Sequence, residues 1–391
     1  MAYQVDNTRE TSSNSRMAPI LRLHLSVWKC IIYQDFLLLG GRQDASVNEK
    51  SAYSMREDGR LKAIVLAGDK GKSHPVFGKN KAFLEVSGLP IIAYVISALQ
   101  KSKSVSEIYV VGPKQRLEES LSSASEFVGN SKPIYVFEQG PTLYDNVWDT
   151  FLETLPSHYR SASPGEIVSS PEADTTVLIV ASDMPLLTAA EVDEFVSKCD
   201  MERYDCVLGF TREEDLKYYY PRNGQEGIRQ AYLHFSEANL RQNNLFMVRP
   251  FKVGNRHYVQ TMYDLRYQKE FANIIKLAWE ILRREEGGWG ALGYYFLLQL
   301  SLLFSRLRLG PLRDWVRSMT HAGSVAGCAS ELLKTRLGYV YTSLGGGALD
   351  VDKENEYEVI KLRFSEWMNY QQEKPKDVAT VAPVRSDAQN L

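Results

Sequence analysis

Residues 64–81, IVLAGDKGKSHPVFGKNK, set glycines at 68, 71 and 78 among lysines at 70, 72, 79 and 81. Glycines let backbone N–H groups come close to phosphate oxygens, and ammonium groups neutralise their charge. Gly71-Lys72-Ser73 has the ending of a Walker A loop, whose first glycine would fall at position 66. That position is Leu66, part of an apolar strand, so the nest of amides that such a loop needs does not form there. The phosphate cradle, if it is one, is of another kind. Further along, VLIVASDMPLLT (177–188) ends an apolar run in Asp183. A carboxylate at the C-terminal edge of a strand, opposite a phosphate loop, suits magnesium bound through carboxylates and substrate phosphates. Its plain structural counterpart is an aspartate capping a helix at a strand–helix turn.

These residues need a scaffold that brings strand ends together. Short, continuous apolar runs at 61–68, 107–113, 133–139, 175–183, 205–211, 244–250 and 338–345 read as strands covered on both faces, as in a largely parallel sheet. Helical patterns lie between them. PIIAYVISALQK (90–101) opens on a proline, and TAAEVDEFVSK (188–198) opens on a threonine cap with Glu191 three positions on. The alternation predicts a doubly wound α/β domain with a mostly parallel, Rossmann-like sheet, whose ligands bind at the C-terminal ends of the strands.

The loop resembles the signature of the sugar-phosphate nucleotidyltransferases and molybdenum-cofactor guanylyltransferases, L-A-G-G-x-G-x-R, a spacer, then K-x-L-x-x-x-G-x-P-L. Leu66, Ala67, Gly68, Gly71, Lys81, Leu84, Gly88 and Pro90 fit as they stand, while Asp69 replaces the second glycine and Ser73 the arginine. The resemblance implies transfer of a nucleotidyl group from an NTP to a phosphorylated acceptor, with pyrophosphate leaving. Leu66, Ala67, Gly68, Gly71 and Ser73 would bind the nucleotide, Lys72 would cradle its phosphates, and Lys81 would stabilise the charge developing in the transition state. Asp183 and Asp352, the latter in GGGALDVDKENEYEVI (345–360), would hold magnesium, with Asp350 the competitor of Asp352. Thr142 and Asn146, in GPTLYDNVWDTF (140–151), match a helix start that flanks the base. Asn244, in QNNLFMVRP (242–250), matches a G-G-N-x-x-x-x-x-P strand that lines the acceptor site, and Arg249 would serve the same anionic acceptor. The likeness covers about 61–250 and 338–362.

Composition narrows the partners. With 44% hydrophobic and 24% charged residues and a net charge of −2, the chain is not a nucleic-acid binder working through bulk charge. The basic residues concentrate in 241–320, which holds 13 Lys/Arg against 6 Asp/Glu and suits an anionic substrate or membrane surface. Four cysteines without C-x-x-C spacing read as free thiols in a reducing compartment, which points to the cytoplasm. The expected organisation is a poorly ordered extension over 1–57 (with Met55 an alternative start), a nucleotidyltransferase domain over 58–250 and 338–370, a helical insertion over 251–337 that includes a helix at 267–286, and a disordered tail over 371–391. The apolar run ending in Arg306 and Arg308 is too short and too charged to span a bilayer, but 291–317 could lie on one. Two rival readings follow: a nucleotide sensor or assembly protein that lost turnover, motivated by Asp69 and Ser73, and a membrane-peripheral enzyme acting on a lipid head-group precursor.

Overall fold

The computed structural model describes residues 59–70, 75–159, 167, 169–256 and 288–378. The extension at 1–57, loop residues Gly71, Lys72 and Ser73, the helix at 267–286 and the last 13 residues of the tail lie outside that set.

A central sheet runs in the order β10–β7–β9–β6–β1–β4–β5, with β8 paired to β9. In chain order these are β1 (Leu61–Leu66), β4 (Val105–Gly112), β5 (Ile134–Glu138), β6 (Val177–Ala181), β7 (Cys206–Arg212), β8 (Leu233–His234), β9 (Asn239–Val248) and β10 (Leu337–Thr342). The small hairpin β2 (Glu85–Val86) and β3 (Leu89–Pro90) stands apart. β1 pairs in parallel with β4 and β6, β4 with β5, and β7 with β10. β9 runs antiparallel between β6 and β7. All the parallel strands therefore end at one edge of the sheet, and β9 begins there.

The continuous apolarity of the strands has the expected cause. Ile64 packs into one buried cluster, whereas Ala63 and Val65 of the same strand pack into a second on the opposite face. Helix α1 (Ile91–Lys101) is buried over Ile91–Gln100, wedged between that second cluster and a third one built from the C-terminal segment. Between β5 and β7 come α2 (Leu143–Thr154) and α3 (Ala189–Lys198), each capped by a threonine that accepts a hydrogen bond from the N–H three residues on. Between β9 and β10 lie α4 (Gly288–Arg306), α5 (Gly310–Arg317) and α6 (Ala322–Leu332).

The chain closes with α7 (Glu354–Val378), which corrects the expected tail: residues 371–378 are helical. Gln371 is fully buried, and its carboxamide lies against the Gly345 and Gly346 amides and the Tyr219 hydroxyl. Lys374 reaches Asp215 at 3.0 Å. A polar composition disguised this helix because its buried face is built from Trp367, Phe364 and Ile360, upstream of the polar stretch.

Candidate active site

The site forms where β1, β6 and the segment after β10 reach the sheet edge. Past β1, Ala67 still donates to Val111 at 2.8 Å, and its carbonyl accepts from Asn80 Nδ2 at 2.9 Å. Asn80 also caps the 3-10 turn Lys81–Phe83, its Oδ1 accepting from Ala82 at 3.0 Å. One asparagine thus ties the start of the loop to its end and orients the next residue, Lys81.

Lys81 is buried, and its Nζ donates to Asp183 at 3.0 Å and to Asp352 at 2.6 Å. Asp350 completes a group of three carboxylates whose ligand atoms all lie within 4.8 Å of one another. The D-V-D spacing explains why both candidates of the closing segment arrive: residues two apart on extended chain share a side. Asp350 is held by Arg241 of β9 at 2.7 Å. Burial pushes the Asp350 carboxyl up to about 6, helped by the charges of Asp352 and Asp183 and opposed by Arg241 and Lys81.

Three acidic side chains, whose oxygens suit a hard divalent cation, meet two basic ones here. The ammonium of Lys81 sits where such a cation would be shared by Asp183 and Asp352, so the residues present fit a bound magnesium ion.

The loop wall is equally defined. Gln139, after β5, accepts from Asp69 N at 2.8 Å and Lys70 N at 3.2 Å, and its Nε2 donates to Asp69 Oδ1 at 2.7 Å. The Asp69 charge also faces Arg116 at 3.8 Å. The residue that departs from the signature is thereby held by an amide and partly neutralised. A Cβ on Gly68 would stand 2.8 Å from Asn146 Nδ2 and 3.2 Å from Gln139 Oε1, so any larger residue would push these two amides aside.

Residues 63–242 match the family model of the MobA-like NTP transferase domain, a span from β1 into the first half of β9. Over this stretch the chain is similar to that family. Curated relatives of this stretch include the 2-C-methyl-D-erythritol 4-phosphate cytidylyltransferase of Chlorobium luteolum, 26% identical over 157 residues that cover 40% of this chain and 61% of the relative. The enzyme of the same name from Pelodictyon phaeoclathratiforme is 28% identical over 162 residues, covering 40% and 60%. The chain thus spans about three fifths of the length of these relatives. Among solved structures, a hypothetical transferase from Thermus thermophilus is similar at 19% identity and a TM-score of 0.44, covering 76% of this chain and 99% of that one.

In the matched stretch, Leu66 ends β1, Ala67 and Gly68 follow it against Asn80, Gln139 and Asn146, and Lys81 and Asp183 meet Asp352 from the closing segment. Thr142 works as the N-cap of α2, accepting from Asp145 N at 3.0 Å, and Asn146 accepts from Gly140 N at 2.7 Å beneath Gly68. Both buttress the Gly68 wall from behind. Asn244, with φ at 57°, is buried and donates to Gly347 O at 3.1 Å, so its amide supports the Gly345–Gly347 turn. From the other side Glu191, fully buried, accepts from Gly347 N at 3.0 Å, and burial raises its carboxyl well above the usual range. A Cβ on Gly346 would meet Leu186 O at 2.0 Å, which fixes how closely this turn must pass the Asp183 segment.

Arg249 is a correction. It lies past the C-terminal end of β9, and the antiparallel register pairs its neighbour Val248 with Val177 and Cys206, at the starts of β6 and β7. That is the sheet edge opposite the carboxylates. Its guanidinium donates to Asp205 at 2.9 Å and to Met201 O at 2.8 Å, and Arg336 binds the same carboxylate. Burial would push the Asp205 carboxyl up, but the hydrogen bonds and charges of Arg336 and Arg249 outweigh it and hold the carboxyl below its usual range. Arg249→Met should therefore cost about 3–5 kcal/mol in urea unfolding by leaving a buried carboxylate short of a partner, with magnesium-nucleotide binding intact at low temperature. A loss of binding without a loss of stability would return Arg249 to the site. The stabilisation it gives is present above the unfolded carboxylate pKa of about 3.9 and lost as pH falls through the depressed folded value.

Sequence reasoning passed over Asn80, Gln139 and Gln242. Gln242, buried in β9, has neither amide atom hydrogen-bonded. The visible signal for Asn80 is its place directly before Lys81 at a turn, a position that favours a side-chain cap.

Proposed function

We propose that this chain transfers an NMP group from an NTP to an anionic small-molecule acceptor, releasing pyrophosphate. The convergence of Asp183, Asp350 and Asp352 around Lys81, at the end of the glycine loop, carries this reading. An acceptor oxygen attacks the α-phosphate in line as the bond to the pyrophosphate oxygen breaks, so positioning and electrostatics suffice and no nucleophilic side chain is required. Magnesium, when bound, would offset the charge of the phosphates. Asp183 and Asp352 would hold it. Lys81, displaced from the carboxylates, would turn its ammonium to the charge growing on the phosphoryl oxygens. Loop amides beyond Gly68 and Lys72 would bind the outgoing pyrophosphate. On the acceptor side, β9 offers Arg241.

The relatives named above are cytidylyltransferases, so CTP is the first donor to test. The experiment measures pyrophosphate release by the full chain from CTP, GTP, ATP and UTP with a panel of sugar and polyol phosphates, with and without magnesium. Release with one pair, dependent on the metal, is expected. Magnesium-dependent nucleotide binding with no release across the panel would instead assign the chain to the sensor class that Asp69 and Ser73 suggest.

A further inference from the structure

The described residues contain no helix long and apolar enough to cross a membrane, yet α4 and α5 carry an unusual surface. These helices pack against each other as a hairpin, and Leu298, Leu302 and Val316 form its buried side. The other side exposes Leu303, Leu307, Leu309, Leu312, Trp315 and Met319, with Trp315 60% and Leu307 57% accessible. The spacing shows two stripes: Leu303 and Leu307 are four apart, and Leu312, Trp315 and Met319 are three and four apart. Elsewhere the large exposed apolar side chains Phe77, Phe127, Tyr135 and Leu362 are scattered through the sequence. Scattered apolar residues need no explanation, but a contiguous set marks an interaction face.

Charge selects the partner. Residues 299–320 hold four arginines (306, 308, 313 and 317) and one acid, Asp314, which pairs with Arg313. Exposed Arg308 stands between exposed Leu307 and Leu309, so cation and hydrocarbon are offered together. This combination suits a bilayer surface, where anionic headgroups overlie acyl chains and tryptophan takes the boundary.

We propose that the α4–α5 face binds anionic lipid surfaces peripherally. The hairpin is tied to the working edge of the sheet: Arg317 Nε donates to Phe235 O, and Thr320 Oγ1 to His234 O at 3.1 Å. His234 belongs to β8, which pairs with the first residues of β9, the strand that presents Arg241. Docking would bring the acceptor side of the site close to the bilayer.

The test is co-sedimentation of the full chain with phosphatidylcholine vesicles, with or without phosphatidylserine. Partitioning at least about tenfold stronger on the anionic vesicles, weakened by salt, is expected from the net positive charge of the hairpin. The double variant Leu312→Glu/Trp315→Glu should lose sedimentation on both vesicle types. Arg308→Gln with Arg313→Gln should lose the anionic preference, both proteins melting as the parent does. Equal or absent partitioning of the parent on the two vesicle types overturns the proposal. So does a dimer in light scattering that the Leu312→Glu/Trp315→Glu variant converts to monomer, which would assign the face to a second copy of the chain.

Discussion

Lys81→Met is expected to destabilise the metal-free protein by about 3–5 kcal/mol, and magnesium should reverse much of that loss. The reason lies in the charge balance of the site. Lys81 donates to Asp183 and Asp352 at 3.0 and 2.6 Å, in a place where all three side chains are about nine-tenths buried. Removing the ammonium leaves carboxylates crowded together with Arg241 as the cation paired to Asp350. Buried like charges without a counter-ion are among the costlier defects a core can hold. A divalent cation restores the balance, and at 100 times its Kd it contributes about 2.7 kcal/mol. Urea unfolding of parent and variant, in EDTA and in excess magnesium, measures both quantities. The variant should gain more from magnesium than the parent does, because no ammonium competes for the carboxylates. Turnover should still fall by a factor of about 10²–10³ in excess metal, since Lys81 is also expected to meet developing phosphoryl charge. A variant as stable as the parent in EDTA would show that the carboxylates do not depend on Lys81.

Asp183→Asn is expected to do the opposite to stability while removing activity. Taking one negative charge from a group of three relieves repulsion, so the metal-free variant should melt at or slightly above the parent. Pyrophosphate release should drop by about three orders of magnitude, as loss of a principal electrostatic contact typically costs about 3–4 kcal/mol in the transition state. The magnesium-induced rise in melting temperature should shrink alongside. The pairing of outcomes matters, because a variant that merely unfolded would lose activity and stability together. Retention of activity within about tenfold of the parent would remove Asp183 from the proposed ligand set.

Much of the sheet was legible because burial on both faces forces unbroken apolar runs, as Ile64 and Val65 illustrate by packing into opposite clusters. Strand direction was not legible. β9 reverses within a parallel sheet, and its first half, Asn239–Asn244, is polar because those side chains hold Asp350, Thr342 and Gly347. Arg249 was misplaced for the same reason: its sequence neighbours match an acceptor strand, whereas its partner Asp205 is 44 positions away and invisible to local pattern. Lys81 and Asp183 could be found because each sits at a strand–loop junction with distinctive neighbours. The sequence favoured Asp352 with Asp350 as its competitor, and the structure brings both to the cluster. Gln139 is a single amide after an ordinary strand, and nothing in its surroundings announces that it clamps Asp69 and Lys70.

Lys81 and Asp352 touch across 271 positions of sequence. During synthesis, the glycine loop, Asp183 and most of the sheet leave the ribosome long before the last carboxylates do. A nascent chain that has reached β9 holds the Gly68 loop and Asp183 but neither Asp350 nor Asp352. A fragment cut at residue 242, where the matched domain ends, would stop in the same condition, lacking β10 and both closing aspartates. If the chain acts as proposed, termination or proteolysis upstream of residue 350 would remove two of the three carboxylates and turnover with them, whatever part of the sheet is retained.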